Sequence, residues 1–579
     1  NKPNTHFMKW RILLFPVLLS NILYAQTNDE IQKLQDFTKI YSVVRHFHPS
    51  DESAQLSWDA FTVYAVNEIL KTKTENGFES KIKELFIPIA PSITFGTTKY
   101  KWEINGEKPI YWINSGLASG SISKSGTFMR KRSNEDSIKI KLTNVPQPKD
   151  SYTLRLSNNF IVNIPLIVYE KNGQTQPVGE IQKYADLKAT AFDNRVAISN
   201  VIIMWSGLRH FYTYQDEINI DWDNILKKGL EESFKNKTQE DNFLTLRRFS
   251  HHFRDGHMYI SYPEFTKKNS FLPPIKLKYL QKTNQVVISD LLFPHTDLKK
   301  GDVILYINNV NPIELINTSK LTFSGSEQYT THLALKELLK GKENSTIVLT
   351  LDNGKKVELK RSFIAYQNPE FFSKDNNIEI EDMKNDVLYL NLQNLTAKIA
   401  TENLAKIQSS KKIIIDLRGY PKRGEKTWQL LANNFFNDRN NVKFISSPKI
   451  QNPFYEDVVY TDFHGWDIKK NKDLTAKIVL LVYEGSGSFQ ESIPTYLKGN
   501  GYATIIGRTT GGMNGDRNDI HLLSGMTYSY TGLKVRNPDH SLFHTKGIVP
   551  DIFVEDNIED IKNGKDTFIE KAIEYLSAE

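Results

Sequence analysis

Two stretches leave this chain little freedom. Ile413-Ile414-Ile415-Asp416-Leu417 and Ile478-Val479-Leu480-Leu481-Val482 are apolar runs, and each stops at a glycine turn. The turns are Arg418-Gly419 in the first case and Glu484-Gly485-Ser486-Gly487 in the second. Runs this short and apolar, rich in branched residues and closed by glycine, read as buried strands. Helical patterns alternate with them. A strand is expected at 387–392, a helix at 426–436, a short helix after the second run as far as Leu497, and a strand at 504–506. Such alternation implies an α/β core over 366–579.

The remainder of the 579 residues divides by pattern, and this length accommodates about three to five domains. Residues 30–90 are helical in periodicity, with amphipathic stretches at 31–47 and 58–70. From 93 to about 170 alternating strands with Gly, Ser and Asn turns take over, at 100–104, 137–142, 152–156 and 161–168. Helical periodicity resumes from Leu187 to about Phe253. The first and third regions echo one another. Arg45-His46-Phe47-His48 is followed by Asp51-Glu52 and Trp58-Asp59; Arg209-His210-Phe211-Tyr212 is followed by Asp216-Glu217 and Trp222-Asp223 at the same spacing. Two copies are too few for a solenoid, so the pattern reads as two related helical hairpins, 26–92 and 187–265, flanking an inserted β-rich domain at 93–175. His46 and His48 read as a helix-end packing motif with Trp58, with metal ligation as the alternative.

Residues 274–365 form a further β-rich unit: strands at 286–288 and 302–309, a helix at 333–339, and a hairpin of 347–351 with 355–359. Its Asn353-Gly354 turn suits a tight hairpin because both residues tolerate positive φ. Leu298 to Asn308, with Gly301-Asp302-Val303-Ile304-Leu305 at its centre, resembles the carboxylate-side segment of PDZ domains, which implies peptide capture by strand addition.

Composition excludes several functions. Lys and Arg number 74 against 67 Asp and Glu, a net charge of +7 spread along the chain, and Arg130-Lys131-Arg132 is the longest basic run considered. Nucleic-acid binding calls for a concentrated basic stripe and is not expected. The absence of cysteine rules out disulfides, a thiol nucleophile and thiolate metal sites. His251, His252 and His257 lack a familiar ligand spacing, so neither metal nor cofactor is expected. Met8-Lys9-Trp10-Arg11, the apolar run 12–19 and the end at Tyr24-Ala25 have the layout of a secretory signal peptide at 1–25. The run is too short for a spanning helix. An exported protein without a transmembrane span is the expectation, in the periplasm, cell envelope or extracellular space.

Ser488 follows the second glycine turn at the start of a helix. There it has two readings. A serine beside orphan helix N–H groups can act as a nucleophile with an oxyanion site at hand, given a base such as histidine within reach. It can equally be an N-cap that satisfies one of those N–H groups.

The motifs together resemble the tail-specific, or C-terminal processing, serine peptidase family, which includes the tricorn protease core. They are Asp255-Gly256-His257, the PDZ-like segment, Asp416-Leu417-Arg418-Gly419, Ser486-Gly487-Ser488-Phe489-Gln490-Glu491, Gly507-Arg508-Thr509-Thr510-Gly511-Gly512 and Gly547-Ile548-Val549-Pro550-Asp551. The resemblance runs over about 187–579. It implies a multidomain α+β protein: an α/β crotonase-like peptidase core, a PDZ-like module, and an N-terminal helical region carrying the insert. It makes Ser488 the nucleophile, and Phe489 N–H and Gly419 N–H the oxyanion donors. The lysine base of the bacterial branch is replaced by Met513, so His257 takes that role, as in the tricorn-like branch. The branch's orienting glutamate is replaced by His544, and Asp255, Glu491 or Asp539 are the candidate substitutes. Pro494 is expected to kink or shorten the helix after Ser488. The implied substrate is a peptide or unfolded protein segment, with a catalytically impaired peptide-binding or envelope-ligand-binding relative as the alternative. The sequence does not set the oligomeric state.

Overall fold

A computed structural model describes residues 11–102, 108–114, 130–133, 150–180, 182–184, 192–364, 367, 378–421, 426–435, 444–463 and 476–578. The two apolar runs lie side by side in a six-stranded sheet. Its order is Ile380–Met383, Val387–Asn391, Lys412–Asp416, Lys477–Val482, Thr504–Gly507 and Ile552–Phe553. The first pair is antiparallel and every later pair parallel.

Both faces of this sheet are buried, which is why its strands show no polar alternation. Leu388, Ile413, Ile415, Leu480 and Ile505 face one way, against Trp428, Leu431, Ile493 and Leu497 of the helices Thr427–Phe435 and Phe489–Gly499. Ile414, Val479, Leu481 and Ile506 face the other way, against Phe568, Ala572 and Ile573 of Thr567–Ser577.

The 274–365 unit is an antiparallel meander of five strands in sequence order: Ile275–Leu280, Gln285–Leu291, Val303–Ile307, Thr346–Leu351 and Lys356–Lys360. It has its own core, with Val286, Ile288, Ile304, Ile347 and Leu349 at the centre. The expected strand to 309 ends at Ile307, because Asn308 and Asn309 turn the chain with positive φ of 49° and 66°. Its second helix starts earlier than expected, at Glu327, since Ser326 caps it by accepting from Tyr329 N–H. Ile275–Leu280 is an edge strand of this sheet.

In the N-terminal half the echoed motifs meet. The helix Arg11–Phe47 ends against the end of Asn194–Phe211. Phe47 stacks on Phe211 with ring centroids 6.0 Å apart, while His46 meets Phe211, and Phe47 meets His210, edge-on at 5.0 Å. The repeated Arg-His-Phe is thus a reciprocal packing device, and both copies share one core with Trp58 and Trp205. His48 is wholly buried between Ser50 Oγ (3.0 Å) and Ser92 Oγ (2.9 Å).

The 93–175 region packs onto the helical body at several points: Glu180 N–H donates to Pro88 C=O at 3.2 Å, Trp112 Nε1 donates to His48 C=O at 3.1 Å, and Phe160, Val162 and Ile164 join the helical core. Its strands at Ser151–Arg155 and Ile161–Pro165 lie close to the expected positions. Residues 100–102 form no strand, and 103–104 and 137–142 lie outside the described residues. Among the described residues, no helix is long and apolar enough to cross a membrane.

Burial, reinforced by the Arg132 charge, lowers the His48 pKa from 6.5 to about 3. The unfolded chain therefore takes up a proton that the folded imidazole refuses. This stabilisation is complete above pH 6.5 and is lost as the pH falls toward 3. His48→Gln is expected to flatten the acid limb of stability by up to about 1.4 kcal/mol per pH unit over that window. Urea unfolding from pH 4 to 8, wild type against variant, reads the difference.

Candidate active site

Parallel register brings the two glycine turns together. Asp416 pairs with Leu481, so both strands end at the same edge of the sheet, and Leu417 N–H continues the ladder to Leu481 C=O at 3.0 Å. The first turn is held by Arg418. Its guanidinium is buried, grips Asp416 through Nε (2.9 Å) and Nη2 (2.6 Å), and reaches Asp566 at 2.8 Å. Gly419 follows, and among the described residues its N–H has no hydrogen-bond partner. A Cβ there would stand 1.6 Å from Gln393 Oε1 and 2.7 Å from Gln393 Cβ, so the position admits only glycine.

At the second turn Ser488 adopts φ 57°, ψ −122°, a strained conformation for a residue with a side chain. The backbone holds it there. Ser488 N–H donates to Met513 C=O at 2.7 Å, and its carbonyl accepts from Glu491 N–H (2.8 Å) and Ser492 N–H (3.1 Å). The hydroxyl makes no capping bond, so the N-cap reading of Ser488 does not hold. Phe489 opens the helix, in the first turn, where N–H groups lack intrahelical partners.

Gln490 ties the two turns to each other. Its amide nitrogen donates to Leu417 C=O at 2.6 Å and its amide oxygen accepts from Gly487 N–H at 3.3 Å. Pro494 does not end the helix, which runs on to Gly499.

Glu491 is wholly buried and accepts from Thr510 Oγ1 (2.5 Å), Gly512 N–H (2.7 Å) and Met513 N–H (3.0 Å). Burial pushes its pKa up to about 7 although these donors pull it down. It fixes the 510–513 loop behind Ser488.

His257 is brought in by a different sheet. Ile260–Ser261 pairs with Thr527–Thr531, which pairs in turn with Arg517–His521. At the end of that strand Thr531 Oγ1 lies 3.0 Å from His257 Nδ1 and 2.6 Å from Asp255 Oδ1. Asp255 Oδ1 accepts from the Thr531 hydroxyl, which leaves the hydroxyl oxygen to receive Nδ1–H. That bond selects the tautomer in which Nε2 carries the lone pair. Asp255, fully buried, also accepts from Thr531 N–H (2.7 Å) and His257 N–H (3.0 Å), and burial raises its pKa against these bonds.

Ser488, His257 and Gly419 line one cavity of about 760 Å³ between the core, the 322–340 segment and the helix Gln239–His251. Met513 packs between the histidine and serine loops. A Cβ on Gly256 would meet its sulfur at 2.3 Å, and one on Gly487 its methyl at 2.1 Å. Where a lysine would carry charge, a thioether fills the space and sets the spacing of the loops.

Two orienting candidates lie elsewhere. Asp539 is on an exposed turn, accepting from Ser541 N–H and Oγ at 3.0 and 2.6 Å. His544 is buried with its ring stacked on Tyr214, centroids 3.8 Å apart, and Nε2 3.1 Å from Tyr212 Oη. Burial, with the His257 charge adding to it, lowers its pKa to about 3, so it stays neutral. Thr531 carries no motif signal and was not anticipated. Gln490 stands inside the motif, and its position between Ser488 and Glu491 is the one signal the sequence offers for it.

Residues 378–554 match peptidase family S41. A probable CtpA-like serine protease of Staphylococcus aureus (strain bovine RF122 / ET3-1) is 29% identical over 230 residues, which are 38% of this chain and 43% of that protein. Its Staphylococcus epidermidis (strain ATCC 12228 / FDA PCI 1200) counterpart is 27% identical over 224 residues, 38% and 42% of the two lengths. The match thus spans less than half the length of these curated relatives. The crystal structure of mature CPAF shares the fold, with a TM-score of 0.53 at 12% identity over 66% of this chain and 97% of that one. The S41 match lies across the sheet that carries both glycine turns, so this part of the chain is similar to the S41 serine peptidases, to which the C-terminal processing proteases are related in sequence and fold.

Proposed function

We propose that this protein is an exported serine endopeptidase that hydrolyses peptides or unstructured protein segments through Ser488 and His257. The observation that carries the reading is the strained, uncapped Ser488 in one cavity with His257, whose Nδ1 is already engaged by Thr531. His257 Nε2 takes the hydroxyl proton as Ser488 Oγ attacks the scissile carbonyl, and returns it to the leaving amine. Gly419 N–H and Phe489 N–H receive the oxygen of the tetrahedral intermediate. Asp255 acts through Thr531, whose hydroxyl holds the His257 ring in place. Asp539 and His544 take no part in this step.

The six-stranded sheet with its helices is, in this reading, a crotonase-like core, and the five-stranded unit is a PDZ-like module. Edge strand Ile275–Leu280 and helix Glu327–Glu337 border a second cavity of about 400 Å³. That groove suits an extended peptide added to the sheet edge. Residues 1–25 act as the export signal.

An active-site fluorophosphonate is expected to label the full chain, and Ser488→Ala and His257→Ala are expected to abolish the label. Absence of label on wild type at every pH from 6 to 9 overturns the peptidase reading and leaves the non-cleaving peptide binder, which Met513 and His544 would then explain. Thr531→Val keeps the shape but removes the bridging hydroxyl. It is expected to lower kcat/KM about 100-fold through a mispositioned imidazole and to cost about 1–3 kcal/mol by stripping a donor from buried Asp255. Thr531→Ser restores both. Peptide turnover and thermal unfolding of the two variants check this.

A further inference from the structure

The two cavities meet at one stretch of helix. Lys336 and Lys340 line both the Ser488 cavity and the groove beside Ile275–Leu280, together with Arg418 and Tyr483. Most of the charge at this junction is internally matched. Lys340 is held by Glu337 at 2.6 Å, Arg418 by Asp416 and Asp566, and Arg508 by Glu484 at 2.7 Å and Asp556 at 3.2 Å. Asp556 is also held by Lys278 at 2.6 Å. Two further cations line the Ser488 cavity. Arg247 donates to Thr322 C=O and lies over the Phe323 ring, and Arg517 is 3.2 Å from Asp519.

Lys336 differs. Among the described residues it has neither an ion pair nor a hydrogen bond, and it is exposed to the cavities. The protein surrounding it and the Lys340 charge beside it both disfavour its ammonium, and only Glu484 opposes them. An ammonium in a concave, partly desolvated site without a counter-ion is completed by a ligand anion. Asp516 also lines the Ser488 cavity and among the described residues has no ion pair, but its carbonyl accepts from Gly532 N–H beside Thr531 and it does not line the groove.

We infer that Lys336 reads an acidic side chain in the substrate, at a residue lying between the segment added to the edge strand and the scissile bond. A mid-chain side chain is specified because Lys336 lines both the groove and the Ser488 cavity. A peptide spanning both passes it rather than ending there. The inference rests on the peptidase reading above and names its substrate class: unstructured segments with an aspartate or glutamate on the groove side of the cleaved bond.

The test uses the full chain and its Ser488→Ala form with a neutral, unstructured reporter peptide. Glutamate is scanned through every position, each paired with a glutamine control, in free-acid and C-terminally amidated forms. At one or two neighbouring positions glutamate is expected to raise kcat/KM about tenfold over glutamine. Ser488→Ala is expected to bind the same peptides, by fluorescence anisotropy, with a similar preference. Lys336→Met makes the glutamate and glutamine peptides equal, and Lys336→Glu turns the preference to lysine. A preference that survives Lys336→Met, no preference at any position, or dependence on the terminal carboxylate alone overturns the inference. Charge-dependent binding by Ser488→Ala with no cleavage by wild type upholds it and overturns the peptidase reading. Cleavage without charge preference does the reverse.

Discussion

Everything at the site depends on a parallel sheet buried on both faces. Because Lys412–Asp416 and Lys477–Val482 run in the same direction and in register, their following turns emerge side by side, and no loop has to reach across the molecule. The chemistry is placed where strand ends of open α/β sheets generally place it. The turns still need fastening, since a glycine turn alone is soft. Arg418 fastens the first from below through two carboxylates, and Gln490 bridges the pair from the helix side. The strain stored at Ser488 is sustained by this fixed frame and by the Met513 carbonyl.

The core was legible in the sequence because its signals are local. An apolar pentad followed by Arg-Gly, or a hexad followed by Gly-Ser-Gly-Ser, states its own burial and its own turn. The Gly-Asp-Val-Ile-Leu strand and the Asn-Gly hairpin are similarly self-contained. What sequence could not supply were contacts made at long range by common residues. Thr531 lies 276 residues from Asp255 in an alternating strand whose other hydroxyls have different work, Ser529 for example donating to the His257 carbonyl. Nor could composition choose between a nucleophile and a cap at Ser488. That depended on a backbone conformation set by residues on the 510–513 loop. Pro494 does not shorten its helix, whose side-chain packing through Ile493 and Leu497 outweighs one lost hydrogen bond.

Met513 shows how a charge can be removed from a site without removing its architecture. The thioether is apolar and flexible, and it fills irregular space between two backbones that glycine allows to approach. Its main chain meanwhile accepts from Ser488 and donates to Glu491. The position therefore keeps a structural duty that a proton-transfer residue there would also have had to perform.

The hydrogen bond between Glu180 and Pro88 is one of several ties between the 93–175 region and the helices, beside those from Trp112 to His48 and from Ser157 to Asp36. Because Val162 and Ile164 of this region fill the same core as the helices, trimming its strands would open cavities in the body beneath them rather than remove an independent appendage.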